Sequence, residues 1–226
     1  MTTSAREPNR NATIEIVHAD SLAWIADKDP RDWALLFIDP PYGANYASGM
    51  DGIWKDTGIV GDADTVARDT SLAWWGDGAA AVWSAWKYGW WGDPRGMLVW
   101  DKGMGVGMGD LSFPWKPNWE LCGIYGKGWK GHRGSSVVKA PVPSWSGTEA
   151  NATRNHPHEK PLGLCMSILE KAPPGPVLDL FGGGGTVAVA CARLGRDCTV
   201  VEIDERWIPT IRRRVATEGA QMPLFA

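Results

Sequence analysis

The sequence predicts an α/β protein built on a doubly wound, mostly parallel sheet, and three observations carry that prediction. Short apolar runs bounded by turn residues alternate with helical stretches along much of the chain. The run at 34–39 (ALLFID) is continuously apolar up to its final acid, as a strand covered on both faces must be, and Pro40-Pro41 stops it. The segment at 177–186 (VLDLFGGGGT) passes from strand through a glycine turn into a helix start, the arrangement that opens a ligand crevice at the carboxyl ends of parallel strands.

The elements follow in order. Residues 12–18 (ATIEIVH) read as a strand ending at Ala19-Asp20, then a short helix with Ser21 as its cap and Leu22, Trp24 and Ile25 on its apolar side. After the strand at 34–39, residues 43–64 are rich in Gly and Asp without a period and read as a long mobile loop, of a length that is usually functional or disordered. Residues 65–91 hold a helix-like stretch, and MLVW (97–100) reads as another buried strand. Residues 121–125 suit a strand, and 126–155 are rich in Gly, Ser, Pro and Trp with no periodicity. Regularity returns with a helix over 161–171 opened by proline, a strand over 177–181, a helix over 186–194, a strand over 198–203 and a helix over 205–215. The pattern implies one domain over 1–226 with right-handed crossovers.

Composition narrows the function classes. In 226 residues, hydrophobics at 44% and charged residues at 22% are those of a globular chain rather than a disordered one. No apolar run nears the ~20 residues that span a bilayer, and no apolar stretch follows MTTSAREPNR, so a membrane span and a secretory leader are not expected. Cys122, Cys165, Cys191 and Cys198 form no C-x-x-C pair. Reduced, packed thiols, a cytoplasmic setting and no metal are expected. The net charge of −3 conceals an asymmetry: residues 1–110 carry 9 basic and 16 acidic side chains, whereas 111–160 carry 7 and 3. The middle segment thus holds the positive excess, as an anion-binding face would. There Trp115, Trp119, Trp129 and Trp145 interleave with Lys116, Lys127, Lys130, Arg133 and Lys139, a pairing suited to stacking on bases and meeting phosphates.

Two motifs carry chemistry. In the glycine segment the helix start presents free N–H groups, and Glu202 at the end of the next strand is placed to bind ribose hydroxyls. Gly183-x-Gly185-x-x-Ala188, with Glu202 19 residues beyond Gly183, also fits the loose dinucleotide fingerprint, so a nicotinamide enzyme competes at this point. Against it, 24 residues after Glu202 leave no room for a substrate domain. The second motif is Asp39-Pro40-Pro41-Tyr42. A carboxylate and a proline-fixed carbonyl can each accept one hydrogen of an exocyclic amine while an aromatic ring stacks on the attached heterocycle.

With these residues in view the sequence resembles the beta class of DNA amino-methyltransferases, which use S-adenosylmethionine. Asp39-Pro40-Pro41-Tyr42 is similar to their catalytic motif, Asp179 to Thr186 to their cofactor motif D-P-F-x-G-S-G-T, and His156-Pro157-His158-Glu159-Lys160-Pro161 to their H-P-x-E/Q-K-P segment. The likeness covers residues 12–42 and 156–215; Leu180 and Gly184 stand where the family has proline and serine. It implies a Rossmann-like, circularly permuted methyltransferase fold with an irregular target-recognition region at 103–155. It implies cofactor contacts from Asp20, Lys160, Pro161, Asp179, Phe181, Gly183, Gly185, Thr186 and Glu202. An aspartate-led motif goes mostly with adenine N6, so N6 methylation of a flipped adenine is expected, with cytosine N4, RNA adenine or non-catalytic nucleic-acid binding as alternatives. Lys127, Lys130, Arg133 and Lys139 are the expected phosphate contacts. The resemblance admits a homodimer, as many relatives pair up, and leaves modification with or without a restriction partner open. In the tail at 221–226, Gln221, Leu224 and Phe225 resemble the peptide with which bacterial replication proteins plug into the sliding clamp.

Overall fold

A computed structural model describes residues 12–44, 58–103, 111–143, 156 and 158–220. Eight strands form one sheet: β1 (Ile14–His18), β2 (Leu35–Ile38), β3 (Ala80–Ser84), β4 (Gly96–Asp101), β5 (Trp119–Tyr125), β6 (Val137–Lys139), β7 (Val177–Asp179) and β8 (Cys198–Glu202). Among the described residues five α-helices flank it: α1 (Ser21–Ile25), α2 (Val66–Trp75), α3 (Leu162–Leu169), α4 (Thr186–Leu194) and α5 (Ile208–Thr217). The strand order is β1-β8-β7-β2-β3-β5-β4-β6, and every pairing is parallel except those of β5 with β3 and β4.

The central strand β2 explains its own sequence. Leu35 and Phe37 join a core with Leu164, Cys165 and Ile168 of α3, Ala188 of α4 and Ile211 of α5. Leu36 and Ile38 join another with Ile25 of α1 and Leu72 and Trp75 of α2. Alternate side chains therefore serve two apolar layers, and no polar position is tolerated between them. All four cysteines are free and buried.

Several expectations need correction. The stretch 65–91 holds the expected helix, α2, but also a strand that was not expected: α2 stops at Trp75, Gly76 takes φ 71°, and the fully buried strand β3 follows. Its Ala-Ala-Val-Trp-Ser sequence has no polar alternation because both faces are covered, so it merges by eye with the helix before it. Strand β4 is not wholly buried; Trp100 alone in it is, since β4 lies next to the edge strand β6. The cap of α1 is Asp20, whose carboxylate accepts from the Ala23 amide at 3.0 Å, rather than Ser21. Strand β6 emerges inside the stretch without periodicity. The final helix begins at Ile208 after a single 3-10 turn at Glu205–Trp207, itself capped by Asp204. No helix among the described residues is long and apolar enough to cross a membrane.

Candidate active site

Because β5 alone runs backwards, the carboxyl ends of the other strands and the start of β5 share one edge of the sheet. At that edge a cavity of about 530 Å³ opens, a size typical of small-molecule sites. Asp20, Asp39, Trp83, Glu120, Asp179 and Glu202 line it from six different strand ends.

Asp39 directly follows β2, and both of its oxygens are engaged. The Tyr42 hydroxyl donates to Oδ1 at 2.6 Å and the Lys160 ammonium to Oδ2 at 2.5 Å. A carboxylate offers about four lone-pair sites, so one remains on each oxygen. Burial pushes the Tyr42 phenol up, and the nearby Asp39 and Glu120 carboxylates add to the rise, which keeps the hydroxyl a donor. The turn beyond is fastened by Asp62, whose Oδ1 accepts from the Gly43 and Ala44 amides at 2.9 and 3.2 Å. Lys160 is buried and also reaches Glu120 Oε2 at 3.2 Å, while the other Glu120 oxygen accepts from Lys102. Burial alone would push the Lys160 ammonium down; Asp39 and Glu120 outweigh it and hold the group above its ordinary value.

The glycine segment forms the other half of the cavity. Asp179 is buried, accepts the Phe181 amide at 3.0 Å, and is pushed up to about 8 by burial; the Phe181 bond opposes the rise, while Glu202 and Asp39 add to it. Glu202 binds the Gly183 amide at 2.5 Å and the Asp204 amide at 2.7 Å, and burial raises it despite those bonds. Gly185 caps α4 at φ 79°, and a Cβ there would lie 2.9 Å from Ile211, so it faces α5 and not the cavity. At Gly184 a Cβ would stand 2.8 Å from the His156 Cβ, which accounts for glycine where the family has serine. Leu180 has no exposed surface and fills the α1/α2 core where the family has proline. Arg214 of α5 is buried, and its guanidinium donates to the Gly184 carbonyl at 2.7 Å, to Thr186 Oγ1 at 3.2 Å, to Glu159 at 2.7 Å and to Glu218 at 2.9 Å.

The structure thus brings together Asp39, Pro40, Pro41, Tyr42, Asp20, Lys160, Asp179, Phe181, Gly183, Thr186 and Glu202 around one cavity. Pro161 is buried and starts α3 outside the lining. The four expected phosphate contacts divide. Lys139 ends β6 at the cavity edge, paired with Asp101. Lys127, Lys130 and Arg133 belong to the other edge, a correction to the expected cluster: β5 carries the chain four residues down from Leu121, opposite Ser84, to Tyr125, opposite Ala80, about 13 Å away. There the Trp129 indole donates to the Tyr125 carbonyl, Lys130 is tied to Lys171, and Gly126 approaches Gly78 so closely that a Cβ would lie 2.4 Å from its carbonyl oxygen. Residues 45–57, 104–110 and 144–155, with Trp145, and the tail residues Gln221, Leu224 and Phe225 lie outside the described residues.

Glu120, Lys102, Trp83 and Arg214 escaped the sequence reading. An acid inside the otherwise apolar strand WELCGIY was the available signal for Glu120, because a carboxylate among core residues needs a cation. Arg214 hid within the run Arg212-Arg213-Arg214, which reads as a solvated helix end.

Fold and cavity together define a Rossmann-like protein with a small-molecule site at the carboxyl ends of its strands. The chain belongs to the DNA methylase family, whose model matches residues 81–213, more than half of its length. Among solved structures it is similar to M1.HpyAVI in complex with SAM, with 19% identity, a TM-score of 0.58, and 89% of this chain and 100% of that one covered. It is similar to TTHA0409 of Thermus thermophilus, described as a DNA modification methylase and solved with S-adenosyl-L-methionine, with 17% identity, a TM-score of 0.54, and 93% and 98% covered. The PvuII DNA methyltransferase, described as cytosine-N4-specific, gives 13% identity, a TM-score of 0.62, and 96% and 89% covered. Among curated proteins no sequence matches this chain.

Proposed function

We propose that the protein transfers a methyl group from S-adenosylmethionine to the N6 amine of an adenine rotated out of DNA, working in the cytoplasm. The observation that carries this reading is Asp39 at the cavity floor, with one lone-pair site open on each oxygen and the Pro40 carbonyl beside it. That cofactor supplies an electrophilic methyl group on a sulfonium cation. The cavity suits a cation: Asp20, Asp179 and Glu202 line it, and burial, with Glu202 and Asp39 adding to it, pushes Asp179 up to about 8, a cost that a cation would relieve. Glu202 would take the ribose hydroxyls, Asp20 the adenine, and Asp179, Phe181, Gly183, Thr186 and Lys160 the methionine end, with Gly185 and Pro161 acting by starting α4 and α3.

The chain's own task is to make a poor nucleophile competent. Asp39 and the Pro40 carbonyl accept the two amine hydrogens and draw the nitrogen lone pair out of the ring. Tyr42 offers its ring as a stacking face while its hydroxyl holds Asp39 in orientation. Positioning and electrostatics supply the rate. At the same edge, exposed Trp86, Phe113 and Trp115 with Lys87 and Lys139 make the DNA-facing surface we propose. A second copy of this chain and the sliding clamp are the protein associations we propose.

The test is methyl transfer from labelled cofactor to duplex DNA, single-stranded DNA and RNA of one sequence, followed by nucleoside digestion. N6-methyladenine in DNA is the expected product. Label confined to N4-methylcytosine would select the second reading, which the likeness to the cytosine-N4-specific PvuII enzyme favours. Label only in RNA, or none with DNA still bound, would replace the proposal.

A further inference from the structure

We infer that Glu120 is a positioning residue for the transfer reaction: it shares the Lys160 ammonium with Asp39 and so keeps the Asp39 carboxylate open to the base. The inference rests on the reading above and adds to it a residue on β5, far in sequence from either motif.

Four charged groups form a chain along the ends of β4, β5 and β2, crossing over β3, which lies between the last two. Lys102 beyond β4 donates to Glu120 of β5, the other oxygen of Glu120 lies 3.2 Å from Lys160, and Lys160 lies 2.5 Å from Asp39 beyond β2. Two ammoniums face two carboxylates, so the set is neutral as a whole. Its members are well shielded, with side-chain exposures of 16% for Lys102, 23% for Glu120, 8% for Lys160 and 26% for Asp39. In such surroundings charge pairs act strongly, and an unpaired member is costly.

A buried lysine with a single carboxylate would bind it alone. Lys160 would then satisfy its charge entirely on Asp39, whose other oxygen already holds the Tyr42 hydroxyl, and the carboxylate would be a weaker acceptor for an incoming amine. Glu120 prevents this by offering Lys160 a second anion from the opposite side. Glu120 lines the same cavity, whereas Lys102 does not. Loss of Glu120 should therefore strike turnover more than cofactor binding, which it reaches only through Lys160.

The experiment compares Glu120→Gln and Lys102→Met with the wild-type chain in steady-state methylation of DNA, cofactor titration and thermal melting. Glu120→Gln should lower kcat about 10-fold or more, with a smaller rise in cofactor Kd, below about threefold, transmitted through Lys160. Lys102→Met, which leaves the Glu120–Lys160 pair in place, should keep kcat within about threefold. Undiminished kcat in Glu120→Gln overturns the inference. So does equal damage from Lys102→Met, because the carboxylate would then be serving only to join β4 and β5. If Glu120→Gln does not fold, Glu120→Asp decides: it keeps the charge but withdraws it by one methylene, and wild-type kcat in that variant overturns the inference. A wild-type chain that methylates neither adenine nor cytosine overturns the parent reading instead.

Discussion

Lys160 lies 121 residues after Asp39 in the chain, yet its ammonium sits 2.5 Å from Oδ2 of that carboxylate. The contact joins the segment after β2 to the segment before α3, and so ties the Asp39–Tyr42 motif to the segment that ends in Lys160 and Pro161. A buried ammonium so placed makes the catalytic carboxylate part of the fold's electrostatic framework, with consequences for what its removal does.

Asp39→Ala should abolish methyl transfer, by about 10²–10³-fold or to the detection limit, since it removes an acceptor needed at the reacting amine. Cofactor affinity should change little because Asp179 and Glu202 remain, and the fold should survive because Lys160 keeps Glu120. Single-turnover transfer and cofactor titration on the same preparation check both halves; retained transfer would remove Asp39 from the catalytic role.

Asp179→Asn should stabilise the ligand-free protein at alkaline pH and weaken cofactor binding. The folded carboxyl titrates near 8 against an ordinary 3.8, so between those values the folded state holds a proton that the unfolded state has lost. Stability conferred by the wild-type group is therefore complete below about 4 and is lost as pH rises through 8. Asparagine carries no such penalty, and the gain at pH 8 to 9 should be on the order of 1–3 kcal/mol, vanishing toward pH 4. Melting curves across that range measure it; a variant less stable than wild type at pH 8.5 contradicts it.

Arg214→Met should destabilise the protein by about 3–5 kcal/mol, because Glu159 and Glu218 lose their shared cation and Gly184 loses a donor at its carbonyl. The loop before α4 should loosen as well, so cofactor affinity should fall together with the melting temperature. A full-affinity variant would show that the glycine turn stands without α5.

Lys139→Ala should weaken DNA binding across all sequences and reduce its salt dependence, with Trp115→Ala adding to the loss. Lys127→Ala, Lys130→Ala and Arg133→Ala should leave binding nearly unchanged, since their loop lies at the far edge of the sheet. Titrations of one duplex at several salt concentrations distinguish these outcomes; equal effects from all four would mean that DNA wraps onto both edges.

Deleting residues 221–226 should abolish capture by a bacterial sliding clamp and leave methylation of free oligonucleotides intact. A sharp fall in melting temperature on deletion would instead make the segment part of the fold.

Much of this protein was determined by sequence alone, and for a local reason. Strand β2, the turn at Pro40-Pro41 and the passage from β7 through the glycines into α4 are set by neighbours in the chain: continuous apolar residues, fixed proline φ angles, glycines able to take positive φ. Asp39, Asp179 and Glu202 could be named because each sits at the carboxyl end of such a strand. What only the tertiary structure decided is which distant charges meet. Strand β3 hid behind α2 because burial on both faces erases periodicity, and the reversal of β5 could not be read from apolar residues that suit either direction. That reversal brings Glu120 to Lys160 and sends Lys127, Lys130 and Arg133 to the opposite edge. Arg214, one of three consecutive arginines, was singled out by helical phase, which turns it alone among them into the core beneath the glycine loop. Pairing across strands and the rotation of a helix depend on the whole packed chain, so the partners of these charges were settled by packing rather than by any local run of residues.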